Sequence, residues 1–194
     1  MKSKFPKKRI AIFMTIFLIF IVVMIVYSSM VGPKSSSNSS KDRVVLVTNM
    51  GNITIELYDG MPITTGNFKK LVQQGTYNGT IFHRVIDGFM IQGRDPTGTG
   101  YGDPSIPSIK DEFPAERVNS NDRGTVAMAN AGPNTGSSQF FINLVDNSNL
   151  NTKHPVFGKV IEGLDVVDKI GKVQTDSNNR PLQEVKIMKA ELVK

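Results

Sequence analysis

Cysteine and tryptophan are both missing from this 194-residue chain, and histidine occurs only twice. Without cysteine there can be no disulfide, no thiolate nucleophile, no iron–sulfur cluster and no cysteine zinc site. His83 and His154 are far apart in sequence and no HExxH helix is present, so no metal centre is expected. A G-x-S-x-G elbow is also lacking, and a hydrolase built on Ser137 or Ser138 would have no base paired with it. "GTGYG" at 98–102 matches neither the dinucleotide fingerprint nor the phosphate loop, and it reads as a turn. No organic cofactor is expected, and there is no internal repeat.

An excess of one charge sign is lacking too, once the +6 net charge is divided along the chain. Residues 1–43 hold eight Lys and Arg against one acid, whereas 44–194 hold fifteen against sixteen. The basic character therefore belongs to the amino-terminal part. With no basic stripe and no reading motif in the remainder, binding to nucleic acid is not expected.

That basic segment carries a long hydrophobic run. "IAIFMTIFLIFIVVMIVY" at 10–27 has only Thr15 as a polar interruption, and the next charge is Lys34. About 20 apolar residues are needed to span a bilayer core. Extended through Val31, the run is long enough, and it exceeds the apolar region of about 7 to 15 residues that a cleaved secretory signal uses. Lys2, Lys4, Lys7, Lys8 and Arg9 crowd one flank, which keeps the amino terminus in the cytoplasm. The expected organisation is a basic cytoplasmic tail at 1–9, a transmembrane anchor at 10–31, a Ser-rich tether at 32–42 and a folded domain at 43–194 outside the cytoplasm. Secretion after cleavage is the secondary expectation.

Residues 44–58 alternate around Asn49, Gly51 and Asn52, a hairpin signature. After Pro62, Ile63, Phe68, Leu71 and Val72 fall near one helical face, with threonines to cap the start and Gly75 to end it. Residues 80–93 predict two strands around Asp87 and Gly88. "TVAMANA", "QFFINLV" and "HPVFGKVIE" predict three more, "GLDVVDKIGKV" predicts a second helix, and the alternating tail "EVKIMKAELV" predicts a closing strand. Many short strands with two helices argue for a mainly β, closed or nearly closed antiparallel barrel. The proline-rich stretch 95–121 reads as surface loops.

Arg84 and Gln92 stand out because they lie in "FHRVIDGFMIQGRDP" among Phe82, Val85, Ile86, Phe89, Met90 and Ile91. Burying a neutral polar group without a partner costs about 2–7 kcal/mol, and a charge costs more. Either Arg84 is paired, with Asp87 or Glu112 as candidate partners, or it is there to hold something. Together with Gln139, Asn130 and His154 it makes an inventory suited to binding and hydrogen bonding.

"FHRVIDGFMIQGRDP", then "MANAGPNTGSSQFFI" at 128–142 and "HPVFGKVIEGLDVVDKI" at 154–170, resembles the cyclophilins, a family of peptidyl-prolyl cis/trans isomerases. The resemblance covers about 43–194 and implies a closed eight-stranded antiparallel barrel capped by two helices. By position it implies that Arg84 is catalytic and that Phe89, Met90 and Phe141 line the proline pocket, with Leu150 and His154 at its rim. It further implies that Gln92 and the main chain of Asn130 hold the substrate backbone, that Ala129, Ala131 and Gln139 shape the adjoining groove, and that His83 lies at the edge of the site. Asn149 stands where many members have tryptophan, a change expected to spare prolyl binding and to weaken cyclosporin binding. The implied partners are proline-containing polypeptides, nothing demands more than a monomer, and the expected role is assisting exported or membrane proteins to fold. A proline-segment-binding chaperone or scaffold module is the alternative.

Overall fold

The computed structural model describes Phe17, Ile21, and residues 41–95, 103–114 and 118–193. Phe17 and Ile21 are helical and exposed. The rest of the expected anchor lies outside the described residues, among which no helix is long and apolar enough to cross a membrane.

Alternation in the first run does what a period of two requires. β1 (Arg43–Thr48) and β2 (Gly51–Leu57) pair antiparallel around Asn49 and Met50, burying Val44, Leu46, Ile53, Ile55 and Leu57. Helix α1 (Pro62–Gln73) follows, with Pro62 in the first turn, where its missing N–H is no loss. Phe68, Leu71 and Val72 face the core as expected, whereas Ile63 is exposed. The expected threonine caps are not used. Thr64 and Thr65 are buried within the helix, and Glu112 supplies the cap from a distant loop, its carboxylate accepting from the N–H groups of Ile63 at 3.2 Å and Thr64 at 2.8 Å. Gly75 ends the helix as expected. At φ 70° it lets its own N–H reach Val72 O at 2.9 Å and that of Thr76 reach Leu71 O at 3.0 Å.

The remaining elements are β3 (Phe82–Ile86), β4 (Met90–Gly93), β5 (Thr125–Met128), β6 (Phe140–Asn143), a 3-10 turn (Ser148–Leu150), β7 (Val156–Glu162), α2 (Leu164–Gly171) and β8 (Ile187–Val193). All eight strands join one antiparallel sheet in the order β3-β4-β6-β5-β7-β2-β1-β8. β8 pairs with β1, so that Arg43 faces Val193. The described parts of the expected loop region 95–121 contain no strand or helix.

The expected closure is not realised: the sheet is curled and open. β3 and β8 end the strand order without pairing as a ladder, and one isolated bridge, Ile81 to Lys186, lies between the segments that precede them. Three main-chain hydrogen bonds stitch the same seam: Gly79 N to Ile187 O at 2.8 Å, Ile187 N to Thr80 O at 2.8 Å, and Phe82 N to Val185 O at 2.9 Å. β3 is only five residues long and is interrupted after its first residue, which leaves too little regular edge for an eighth, closing pairing. Inside the curl, Phe68 packs against Tyr77, Phe140 and Phe157 with ring centroids 4.9–5.6 Å apart. α1 packs on β7 and β8, and α2 on β2, β3 and β4.

Candidate active site

One irregularity in β3 decides where Arg84 points. Phe82 faces Gly93 and Arg84 faces Gln92, so two steps along β3 oppose one along β4 and His83 is the extra residue of a β-bulge. Without it, Phe82 and Arg84 would share a face. With it, Phe82 and Val85 both enter the core while Arg84 emerges on the outer face, exposed.

That outer face continues across the sheet. Cross-strand partners line up as Arg84–Gln92–Phe141–Ala127–Val156 over β3, β4, β6, β5 and β7. Residues directly opposite in an antiparallel sheet lie on the same side. Phe141, Ala127 and Val156 join Met90 in an apolar cluster separate from the main core, and Phe89, Ile86, Tyr58, Ala129 and Leu150 pack around it half-buried. His154 meets Phe141 edge-on, with ring centroids 5.4 Å apart. The cation thus stands at one end of an apolar row.

A chain of amides sets its position. Arg84 Nη1 donates to Gln92 Oε1 at 3.4 Å, and Gln92 Nε2 donates to Gln139 Oε1 at 2.7 Å. Neither candidate carboxylate competes: Asp87 receives Lys172 Nζ at 2.7 Å, and Glu112 caps α1. Among the described residues no acid forms a salt bridge with Arg84. Across the groove, Asn130 Nδ2 donates to Lys153 O at 2.8 Å, and among the described residues the N–H and C=O of its main chain have no partner. Two free main-chain groups on a fixed edge can receive a peptide backbone. Ala129 N donates to Gln139 O at 3.0 Å, and Ala131 N to Thr135 Oγ1 at 2.8 Å, which ties down the flanking residues. His154 Nδ1 lies 3.1 Å from Met128 O. A carbonyl only accepts, so Nδ1 carries a proton and donates in this contact.

The structure therefore brings Arg84, Phe89, Met90, Gln92, Ala129, Asn130, Gln139, Phe141, Leu150 and His154 around one cleft, with Ala131 exposed at its end. His83 is the bulged residue beside Arg84. It is buried, among the described residues both ring nitrogens lack hydrogen-bond partners, and burial pushes the imidazole below the usual histidine range. Asn149 is exposed on the 3-10 turn, while Leu150 beside it packs on the cluster.

Ala127 and Val156, which complete the apolar floor, were not expected there; the alternation in "TVAM" and "PVF" is the signal that marks them. Nor was a buried set of asparagines that holds the walls. Asn147 Nδ2 donates to Phe89 O at 2.9 Å and to Asn143 Oδ1 at 2.8 Å, and Asn143 Nδ2 donates to Asn121 Oδ1 at 3.2 Å. Asn121 N in turn donates to Asn151 Oδ1 at 2.7 Å, and Asn119 Nδ2 to His154 O at 3.0 Å. The Phe89 turn and the 150–154 loop, opposite walls of the cleft, are thereby fixed to one buried frame.

This fold is that of the proline-directed isomerases. The chain belongs to the cyclophilin-type peptidyl-prolyl cis-trans isomerase family, whose model matches residues 43–192. It is similar to peptidyl-prolyl cis-trans isomerase ppi1 of Schizosaccharomyces pombe, at 49% identity over 76% of this chain and 96% of that protein. Human peptidyl-prolyl cis-trans isomerase-like 1 is 48% identical over 76% of this chain and 90% of that protein. Among solved structures, a Cryptosporidium parvum cyclophilin type peptidyl-prolyl cis-trans isomerase in the presence of the dipeptide Ala-Pro superposes with a TM-score of 0.73 at 36% identity, covering 78% of this chain and 99% of that one.

Proposed function

We propose that the chain accelerates cis/trans exchange at Xaa-Pro bonds, with Arg84 as the catalytic residue, and that it serves proteins folding outside the cytoplasm. The observation that carries the catalytic reading is a guanidinium with no acidic partner among the described residues, standing beside an apolar floor of Phe141, Ala127 and Val156.

Peptide-bond rotation is opposed by a barrier of about 18–20 kcal/mol, and Xaa-Pro bonds exchange in tens to hundreds of seconds. A turnover on the order of 10³ per second takes about 10⁵-fold acceleration, or roughly 7 kcal/mol. No bond is made or broken. The planar amide is more polar than the twisted one, so seating it against Phe89, Met90 and Phe141 favours the twisted form relative to water. On twisting, the prolyl nitrogen loses conjugation and gains a lone pair that Arg84 can meet with a hydrogen bond. Such a donor, effective only in the transition state, typically contributes about 2.7–4 kcal/mol. Gln92 and the main chain of Asn130 hold the segment on one side while the other side turns.

The exported setting rests on the sequence: an 18-residue apolar run at 10–27, a cluster of five basic residues before it and a Ser-rich tether after it. A single-pass protein with its amino terminus in the cytoplasm would hold the isomerase beside emerging chains, where slow prolyl exchange limits folding. Proline exchange in an Xaa-Pro peptide, measured by NMR with the full chain in detergent, tests the activity. Line broadening that depends on Arg84 supports it, while tight binding with unchanged exchange leaves only a recognition module. Protease accessibility of the 43–194 region in sealed vesicles tests the orientation.

A further inference from the structure

Beyond Asn130 and His154 the groove does not stop. Asp111, Asn130, Gly132, Pro133, Thr152, Lys153 and His154 line a cavity of about 380 Å³, room enough for a large side chain. Its walls come from three loops, and each is cross-tied. Asp111 N donates to Asn134 Oδ1 at 2.9 Å while Asn134 N donates to Asp111 Oδ2 at 2.8 Å, a reciprocal pair locking the first wall to the second. Asn130 Nδ2 ties the second wall to the third through Lys153 O at 2.8 Å, and His154 Nδ1 ties the third back to Met128 O at 3.1 Å. The cavity is thus preformed, and Asn130, whose main chain is open to a partner, forms part of its lining.

We propose that this cavity is an accessory subsite for a residue flanking the Xaa-Pro bond in the same bound segment, and that Asp111 makes it favour a basic side chain. The inference rests on the isomerase reading and deepens it. Asp111 is half-buried and its Oδ2 is held by Asn134, while among the described residues Oδ1 has no partner. A carboxylate fixed in place loses little entropy on meeting a Lys or Arg, and partial burial strengthens the attraction. Lys153, the opposing charge in the lining, is exposed on a long flexible stem, where water and salt screen it.

The test compares four-residue Xaa-Pro peptides with eight-residue peptides carrying Lys, Ala or Glu at the flanking positions, using the full chain in detergent and NMR exchange to obtain KM and kcat. The expected result is a KM three- to tenfold lower for the Lys-flanked octapeptide than for the Glu-flanked one. Asp111→Asn, which keeps an acceptor for Asn134, should remove that preference. Thr152→Tyr, which fills the cavity, should remove the advantage of length, and both variants should leave the tetrapeptide unchanged. A length and charge preference that survives both variants would overturn the subsite. If wild-type protein fails to turn over the tetrapeptide, the isomerase reading itself is lost, a separate outcome.

Discussion

Two apolar clusters are built from the same strands and differ in what covers them. On the inner face Ile91, Ile142, Val126 and Phe157 join Phe140 and Phe68, all with no exposed surface. On the outer face their chain neighbours Met90, Phe141, Ala127 and Val156 form the floor of the cleft, rimmed by half-buried residues and by Arg84, Gln92 and Asn130. The first cluster is covered by the protein's own helices. The second is small and, among the described residues, is covered only by its own half-buried rim, Phe89, Ile86, Tyr58, Ala129 and Leu150. Strand alternation thus assigns chain neighbours to different clusters, and on the proposed function two adjacent phenylalanines should behave as different kinds of residue.

The sharpest way to break this comparison is to truncate those two in turn. Phe140→Ala should destabilise by about 3–5 kcal/mol, read by urea unfolding. Phe141→Ala should lose roughly half of that or less, because its cluster is small and its half-buried rim can settle into the space, while KM for an Xaa-Pro peptide rises at least tenfold. Equal losses of stability would mean that the outer cluster is ordinary core. Arg84→Ala sharpens the contrast from the polar side. Turnover should fall by about ten- to a thousandfold, with stability altered by less than about 0.5 kcal/mol, as for an exposed side chain. An unchanged exchange rate would remove the catalytic role.

Asn147→Ala probes the frame between the clusters. It leaves Asn143 Oδ1 without that donor, at a cost of about 1–3 kcal/mol, and it removes one of two donors to the Phe89 carbonyl, which keeps Leu144 N at 2.9 Å. Peptide exchange at a temperature where the variant is folded should show KM raised by about three- to tenfold with kcat within about twofold. The smallest effect concerns His83. Its folded imidazole titrates below the ordinary value of about 6.5, so as pH falls the unfolded chain takes up the proton first. His83 therefore adds nothing above that value and lowers stability below it, by up to about 1.4 kcal/mol per pH unit until the folded imidazole protonates. His83→Gln should flatten the pH dependence of urea unfolding between pH 7 and 5, and an unaltered slope would mean that the ring is protonated in the folded state.

Local patterns carried most of the fold in readable form. The 44–58 hairpin, both helices and the strands around Arg84 and Phe141 follow from periodicity and turn residues, because their neighbours in space are neighbours in sequence. What was hidden depends on distant partners. The Glu112 cap on α1 joins residues 48 and 49 positions apart, so the nearby threonines looked sufficient. The open seam reflects how far β3 can pair after its bulge, and nothing in "FHRVI" announces an extra residue. In the site, Arg84 and the aromatic lining were legible through the resemblance, whereas alternation by itself would have assigned Phe141 to ordinary core. The asparagine frame was legible only as an unusual density of Asn between 119 and 151.

Arg43 and Val193, partners at one end of the β1–β8 pair, bring the entry and exit of the folded unit to a common corner. Val193 ends β8 at the far end from Ile187, the residue that the seam ties to the segment leading into β3 and Arg84. A surface attachment, a reporter or a second module could therefore be grafted at either terminus of the domain with the same geometry. Immobilising the enzyme by this corner should leave its catalytic mouth open to long, unfolded polypeptides.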